Sequence, residues 1–130
     1  KVSGIKRHIA VDTQGLPHAV AVTPADVTDR KGALLALGRN LRSVEAVSAD
    51  GGYVGQPFAQ GVEELIGAQV QIAKRSELHA FAVMSQRWVV ERSFAWIEKY
   101  RHLWKNCERK LNSSLQFIHL AFLAILLRRL

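Results

Sequence analysis

The stretch Val44-Glu45-Ala46-Val47-Ser48-Ala49-Asp50-Gly51-Gly52-Tyr53 decides the fold. A short run of small and branched apolar residues ends in one carboxylate, and two glycines follow at once. Runs of this length bounded by turn residues read as buried strands. The glycines let the chain turn sharply and let a ligand approach backbone amides at the strand end. Asp50 therefore has two readings: it caps the turn, or it presents a carboxylate at the C-terminal edge of a sheet.

Upstream, Ile5 to Asp12 carries Ile9 and Val11, Thr13-Gln14-Gly15 signals a turn, and Leu16 to Thr23 alternates around Val20 and Val22. This pattern predicts an antiparallel hairpin. Pro24 stops its second strand, and Asp26 or Asp29 is placed to cap a helix through Leu34, Leu35 and Leu37, closed by Gly38 and Asn40. Downstream, Pro57 opens a helix carrying Phe58, Val62, Leu65 and Ile66 and ending at Gly67. Val70-Gln71-Ile72 reads as a short strand, and Lys74-Arg75 as a basic loop. A long helix is predicted from Gln86 to Trp104, with Val89, Val90, Phe94, Ile97 and Leu103 at three- and four-residue spacings. A polar break at Asn112-Ser113-Ser114 precedes a last helix ending in Arg128-Arg129. The order predicts one α/β domain over residues 1–130, with a mixed sheet flanked by helices.

The 130 residues hold 18 lysines and arginines against 11 acidic residues, a formal charge of +7. Such a balance points to a polyanionic partner, nucleic acid ahead of an anionic membrane surface; the bland alternative is a basic protein with scattered lysines. The single cysteine, Cys107, excludes an internal disulfide and a thiolate metal cluster, and suits a reducing cytoplasm. The apolar run Leu115 to Leu127 is shorter than the roughly 20 residues that span a bilayer and contains Gln116 and His119, so no membrane is expected. The chain opens without methionine on the approach to a strand and reads as a fragment of a longer protein.

A second carboxylate, Glu91, lies in Arg87-Trp88-Val89-Val90-Glu91-Arg92-Ser93-Phe94-Ala95-Trp96. A lone helical Glu is usually solvated, but its apolar neighbours place this one near the core edge. Arg87, one turn earlier, can pair with it or hold a phosphate. A strand-end Asp and a helix-borne Glu in a basic chain fit a two-metal phosphodiester site.

Asp50-Gly51-Gly52-Tyr53-Val54-Gly55 and the segment around Glu91 resemble the second and third acidic motifs of bacterial insertion-sequence transposases. These are DDE-class enzymes with a ribonuclease-H-like fold, and the chain is most similar to their insertion-sequence-five group. Gly4-Ile5-Lys6-Arg7-His8-Ile9-Ala10-Val11-Asp12-Thr13-Gln14-Gly15-Leu16 and Thr23-Pro24-Ala25-Asp26-Val27-Thr28-Asp29-Arg30 match the same family in the same order. The resemblance covers essentially the whole chain. It implies that Asp50 and Glu91 are catalytic metal ligands for magnesium, as two ions, with manganese a possible substitute. It implies DNA as partner, both terminal inverted repeats and target DNA, and a homodimer acting at the bacterial nucleoid. The family's first aspartate lies on a strand ahead of the hairpin, and no residue here takes its place. That strand is central in the fold, so the resemblance implies an N-terminally truncated sheet with two edges unpaired, inactive and poorly stable alone. Related enzymes often show Tyr-x₂-Arg-x₃-Glu-x₆-Lys. Arg87 and Glu91 keep that spacing, whereas Met84 stands at the Tyr position, Glu98 at the Lys position, and Lys99 one residue beyond.

The DNA-facing charges expected are Lys6, Arg7, Lys74, Arg75, Arg87, Arg92 and Lys99, with Arg101, Lys105, Arg109 and Lys110 alongside. Asp12 falls at the hairpin turn, at the far end of the sheet from the implied metals, and is not expected to be catalytic. The five histidines form no i, i+4 pair, which argues against zinc. Cys107 reads as a partly buried structural thiol, and Trp96, Tyr100 and Trp104, at four-residue steps, as a core stripe. Two rivals to the enzyme stand: an inactive remnant that binds DNA or the full-length transposase, and another nuclease on the same architecture.

Overall fold

The structure, a computed structural model, describes residues 4–38, 41, 44–72 and 81–129, with side chains in the third helix described from 89 onward. The Lys74-Arg75 loop lies outside the described residues. Strands β1 (Ile5–Val11) and β2 (Pro17–Pro24) form the predicted hairpin, pairing antiparallel with Ile9 opposite Val20 and Arg7 opposite Val22. A bulge falls between Ala10 and Val11. Gly15 sits in the turn at φ +85°, and a side chain there would press on Arg92 and Ser93 as well as strain the backbone.

Helix α1 (Asp29–Leu37) follows. Its cap is Thr28, whose side chain accepts from the Lys31 N–H, and not Asp26 or Asp29 as the sequence suggested. Asp29 occupies the first turn instead, where its charge suits the helix dipole. Strand β3 (Ala46–Ala49), expected to be buried, alternates exposed and half-buried residues; it leads through a 3-10 turn (Gly51–Tyr53) into α2 (Gln56–Ile66), which Gly67 closes at φ +69°. Strand β4 (Gln69–Ile72) pairs parallel with β3, Val47 opposite Val70.

Helix α3 (Phe81–Glu98) begins earlier and ends sooner than the periodicity suggested. The backbone turns extended at Tyr100, and a short α4 (Arg101–Trp104) follows on a new axis. Helix α5 (Leu111–Arg129) starts ahead of Asn112-Ser113-Ser114, so the expected polar break is its first turn, anchored by the Ser114 hydroxyl donating to Asn106 Oδ1 at 2.7 Å. With 19 residues α5 is long and apolar enough to cross a bilayer by length and composition; here Leu115, Ile118, Phe122 and Ile125 are buried against the rest of the domain.

The two faces of the hairpin carry two cores. Val20, with Ile9 and Val22 beside it, packs against Ile97, Leu103, Ile118 and Phe122 of the C-terminal helices. The opposite face meets α1, and a second cluster of Leu37, Phe58, Val62 and Ala68 joins Ala10 of the hairpin to Val47 and Val70 of the parallel pair. The α/β class with antiparallel and parallel pairing is thus present, but as two two-stranded sheets that do not pair with each other among the described residues.

Buried His8 explains a further sequence requirement. Its Nε2 lies 2.8 Å from the Thr23 hydroxyl, and its ring fills the space where a Cβ on Gly32 would stand. Replacing Gly32 by Ala forces that ring to move, and overpacking of this kind costs about 1–3 kcal/mol, measurable by urea unfolding. Burial lowers the His8 pKa below its ordinary 6.5, with Asp29 opposing and Lys6 assisting. The unfolded chain then takes up a proton that the folded chain refuses, so stability falls as pH drops through about 6.5. The fall levels off once the folded pKa is passed. Urea midpoints on either side of this window should show the fall in the native chain and a smaller one in His8→Gln.

Candidate functional site

Asp50 stands immediately after β3, and its carboxylate is exposed. Both readings of the residue find structural expression. Its Oδ1 accepts the Gly52 N–H at 2.9 Å and caps the 3-10 turn, while the other oxygen makes no hydrogen bond among the described residues. Arg30 of α1 donates through Nε to the Gly52 carbonyl at 3.2 Å, which ties the turn to the first helix. Tyr53 lies beneath, tilted against Phe58 with ring centroids 5.3 Å apart. Burial raises the Tyr53 pKa, and the charges of Asp29 and Asp50 push it the same way. Asp50 and Asp29 are both exposed at this end of the domain, and Asp29 is paired with Lys6 at 3.1 Å.

Glu91 is carried by the middle of α3, whose docking is fixed by its neighbours. The Ser93 hydroxyl lies 2.8 Å from the Gly15 carbonyl and 3.0 Å from that of Val89, and Arg92 Nη2 donates to the Gln14 carbonyl at 2.6 Å. These bonds pin α3 to the hairpin turn. Glu91 is two residues from Ser93, about 200° around the helix, and is exposed, not held at the core edge as its apolar neighbours suggested. Those neighbours belong to the other side: Val89, Ser93 and Ile97 are buried.

Asp50 and Glu91 are oxygen donors of the kind magnesium takes. Among the described residues, however, no three His, Cys, Asp or Glu side chains converge as a ligand set. Each suits the metal in kind, and among the described residues no third ligand stands with them. Asp12 does not supply it, because its carboxylate serves the hairpin turn. Oδ1 accepts from the Gln14 and Leu16 N–H groups and Oδ2 meets His18 at 3.0 Å. Partial burial raises its pKa, but the bonds from His18 and the two amides prevail and hold it below the ordinary value.

The expected DNA-facing charges divide. Lys6 bonds the Val27 carbonyl and Asp29, at 3.0 and 3.1 Å. Arg7 donates to the Leu103 carbonyl at 2.7 Å across the domain, and desolvation lowers its pKa against the attraction of Glu98. Arg92 and Arg129 both lie over the Trp96 ring, 4.8 and 4.4 Å from its centroid. Lys99 is exposed. Lys74 and Arg75 are outside the described residues, as is the Arg87 side chain.

A basic surface lies at residues 101–110, where Arg101, Lys105, Arg109 and Lys110 are exposed. Trp104 stands among them with 74% of its surface accessible. The sequence placed Trp104 in a core stripe with Trp96 and Tyr100; those two do pack on the core, but the break at Tyr100 turns Trp104 outward. The signal available was the density of charge around it. Cys107, expected to be partly buried, is exposed in the same segment.

Comparison with known proteins places these features in a family. Residues 1–127 match the family model described as the transposase DDE domain. The chain is 33% identical, over 94% of its length, to a Burkholderia cepacia protein assigned as a transposase for insertion sequence element IS402, of which it covers 60%. It is 30% identical, over 95% of its length, to a Brucella ovis protein assigned likewise for element IS6501, of which it covers 98%. The chain thus spans well under the full length of the first relative and nearly all of the second. No solved structure matches.

Proposed function

The chain belongs to the transposase DDE-domain family, and from that premise we propose that it is catalytic-domain sequence of a bacterial insertion-sequence transposase of the insertion-sequence-five-like group. Its reaction is cleavage of DNA at the element's terminal inverted repeats and joining of those ends to target DNA. The observation that carries this reading is the exposed Asp50 carboxylate directly after β3, at the carboxyl end of a parallel strand pair. Ligands of open α/β sheets gather at such strand ends.

Asp50 and Glu91, with a third carboxylate that no described residue supplies, would hold magnesium, or manganese in its place. Two such ions, when bound, supply activation of the attacking oxygen and stabilisation of the leaving one. The chain's own contribution is placement. The Gly52 amide fixes one oxygen of Asp50 and leaves the other to a ligand. The Ser93 and Arg92 bonds to the hairpin turn fix the helix that bears Glu91. Among the described residues β1 and β3 each leave one edge unpaired, which supports a ribonuclease-H-like sheet in which a further strand joins them. The partners in this reading are DNA and a second copy, at the nucleoid of a bacterial cytoplasm.

The basic surface around residues 101–110 supports the DNA partner. Lysines and arginines there would neutralise phosphates, and an exposed indole can stack on a base. A second reading, a remnant that binds DNA or full-length transposase without cutting, is favoured by the missing third carboxylate among the described residues.

Two experiments separate these readings. In the full-length protein with magnesium and terminal-repeat DNA, Asp50→Asn and Glu91→Gln should each reduce cleavage to background while leaving DNA affinity intact. Asn keeps an oxygen for the Gly52 cap, so full cleavage by Asp50→Asn would mean that the residue only caps the turn. On the chain itself, Trp104→Ala should weaken single-stranded DNA binding by about 1–3 kcal/mol in fluorescence titrations at fixed salt; unchanged affinity would remove the indole from the interface.

A further inference from the structure

We propose that the free edge of β2 is a self-association surface, on which two copies pair their β2 strands antiparallel about a two-fold axis at Ala21. The ladder shows which backbone groups are available. The Ala25 N–H donates to the Gly4 carbonyl, so pairs two residues apart from it, Lys6/Thr23, His8/Ala21 and Ala10/Ala19, exchange hydrogen bonds with each other. Val20 and Val22 consequently turn their N–H and C=O groups away from β1, along the free edge. Among the described residues β2 pairs with β1 alone, and these four groups meet no other partner.

The edge is symmetric about its own centre. In Ala19-Val20-Ala21-Val22-Thr23 the valines stand equidistant from Ala21. A two-fold axis there sets Val20 opposite Val22 of the second copy and Val22 opposite its Val20. Each pair exchanges two hydrogen bonds, and all four outward groups are satisfied. The axis falls on a pair of alanines, small enough for the close approach of a non-hydrogen-bonded position. Pro17 and Pro24 bracket the strand and confine pairing to its centre.

The lips of this edge are apolar. Two depressions, of about 280 and 410 Å³, meet at Val20 and run along β2 between α1 and α2 on one side and α5 on the other. Leu35, Leu65 and Leu123 line them while 54%, 49% and 53% exposed. Sheet edges are ordinarily guarded by charged residues; β2 has none, and its ionisable neighbours are His18, paired with Asp12, and His119. In a chain of net charge +7 two copies repel over most of their surface. An uncharged, self-matching strand is where they can approach, which favours a second copy over an acidic or basic partner as the occupant.

This interface rests on the pairing of two copies proposed above but not on the metal-site reading. Sedimentation of the chain without DNA should give twice 14.5 kDa, with slow hydrogen exchange at the Val20 and Val22 amides. Leu35→Glu and Leu123→Glu, both at exposed positions, should each restore the single-chain mass and speed that exchange, with helical circular dichroism unchanged. Leu111→Glu, an exposed position away from the groove, should leave the dimer intact. A single-chain mass at every concentration would overturn the proposal. A dimer that forms only on DNA and ignores both groove substitutions would also overturn it, while leaving the pairing of copies on DNA ends in place.

Discussion

A two-stranded hairpin in water is marginal by itself, and the β1–β2 hairpin is the element on which the rest of this domain depends. It is held because each face is covered by a different helix layer, and because its turn is gripped separately. On one face Val20 packs with Ile97, Ile118 and Phe122, side chains whose burial contributes about 1.5–3 kcal/mol each. On the other, His8 and Thr23 satisfy each other beneath Gly32, the one residue type that leaves room for the imidazole. At the turn, Ser93 and Arg92 reach the carbonyls of Gly15 and Gln14. That last contact reaches the candidate site, since it fixes the rotation of α3 and with it the direction of Glu91.

Much of this was legible in the sequence because local chemistry and tertiary demand agree. Alternation around Val20 and Val22 gave the hairpin, the turn signal at Gly15 its loop, Pro57 and Gly67 the ends of α2, and the apolar run before Asp50 the strand β3. The misreadings share a physical cause: a periodicity reports which side of an element is apolar but not where the element stops. The spacing of Trp96, Tyr100 and Trp104 is helical, yet the backbone leaves the helix at Tyr100, so the third ring turns to solvent. Asn112-Ser113-Ser114 looked like a break because these residues favour non-helical ends, and they serve as the first turn of α5 through the Ser114–Asn106 bond. The cap of α1 went to Thr28, since Asp29 is drawn to Lys6 at 3.1 Å. Glu91 was judged by its sequence neighbours, which at a spacing of one or two residues lie on other sides of a helix.

The candidate carboxylates were legible in residue type and only partly in their surroundings. The sequence left Asp50 with two readings, turn cap and ligand, and the structure shows the cap. One oxygen bound to the Gly52 amide fixes the carboxylate, and the second remains available. Capping is therefore no argument against ligation; a carboxylate fixed before a ligand arrives has less freedom to lose on binding. No local pattern could show which distant carboxylates converge, because convergence of distant segments is a property of the sheet.

The two sheets make the same point in the backbone. β1 and β3 each pair on one edge, and among the described residues neither pairs with the other. Yet both lie on one continuous apolar cluster, Ala10 from the first and Val47 from the second, bridged by Leu37 of α1 and Phe58 of α2. Separate ladders over a shared core show that side-chain burial and backbone pairing are met by different elements here. The helices supply the side-chain burial, whereas pairing of a strand edge needs another strand.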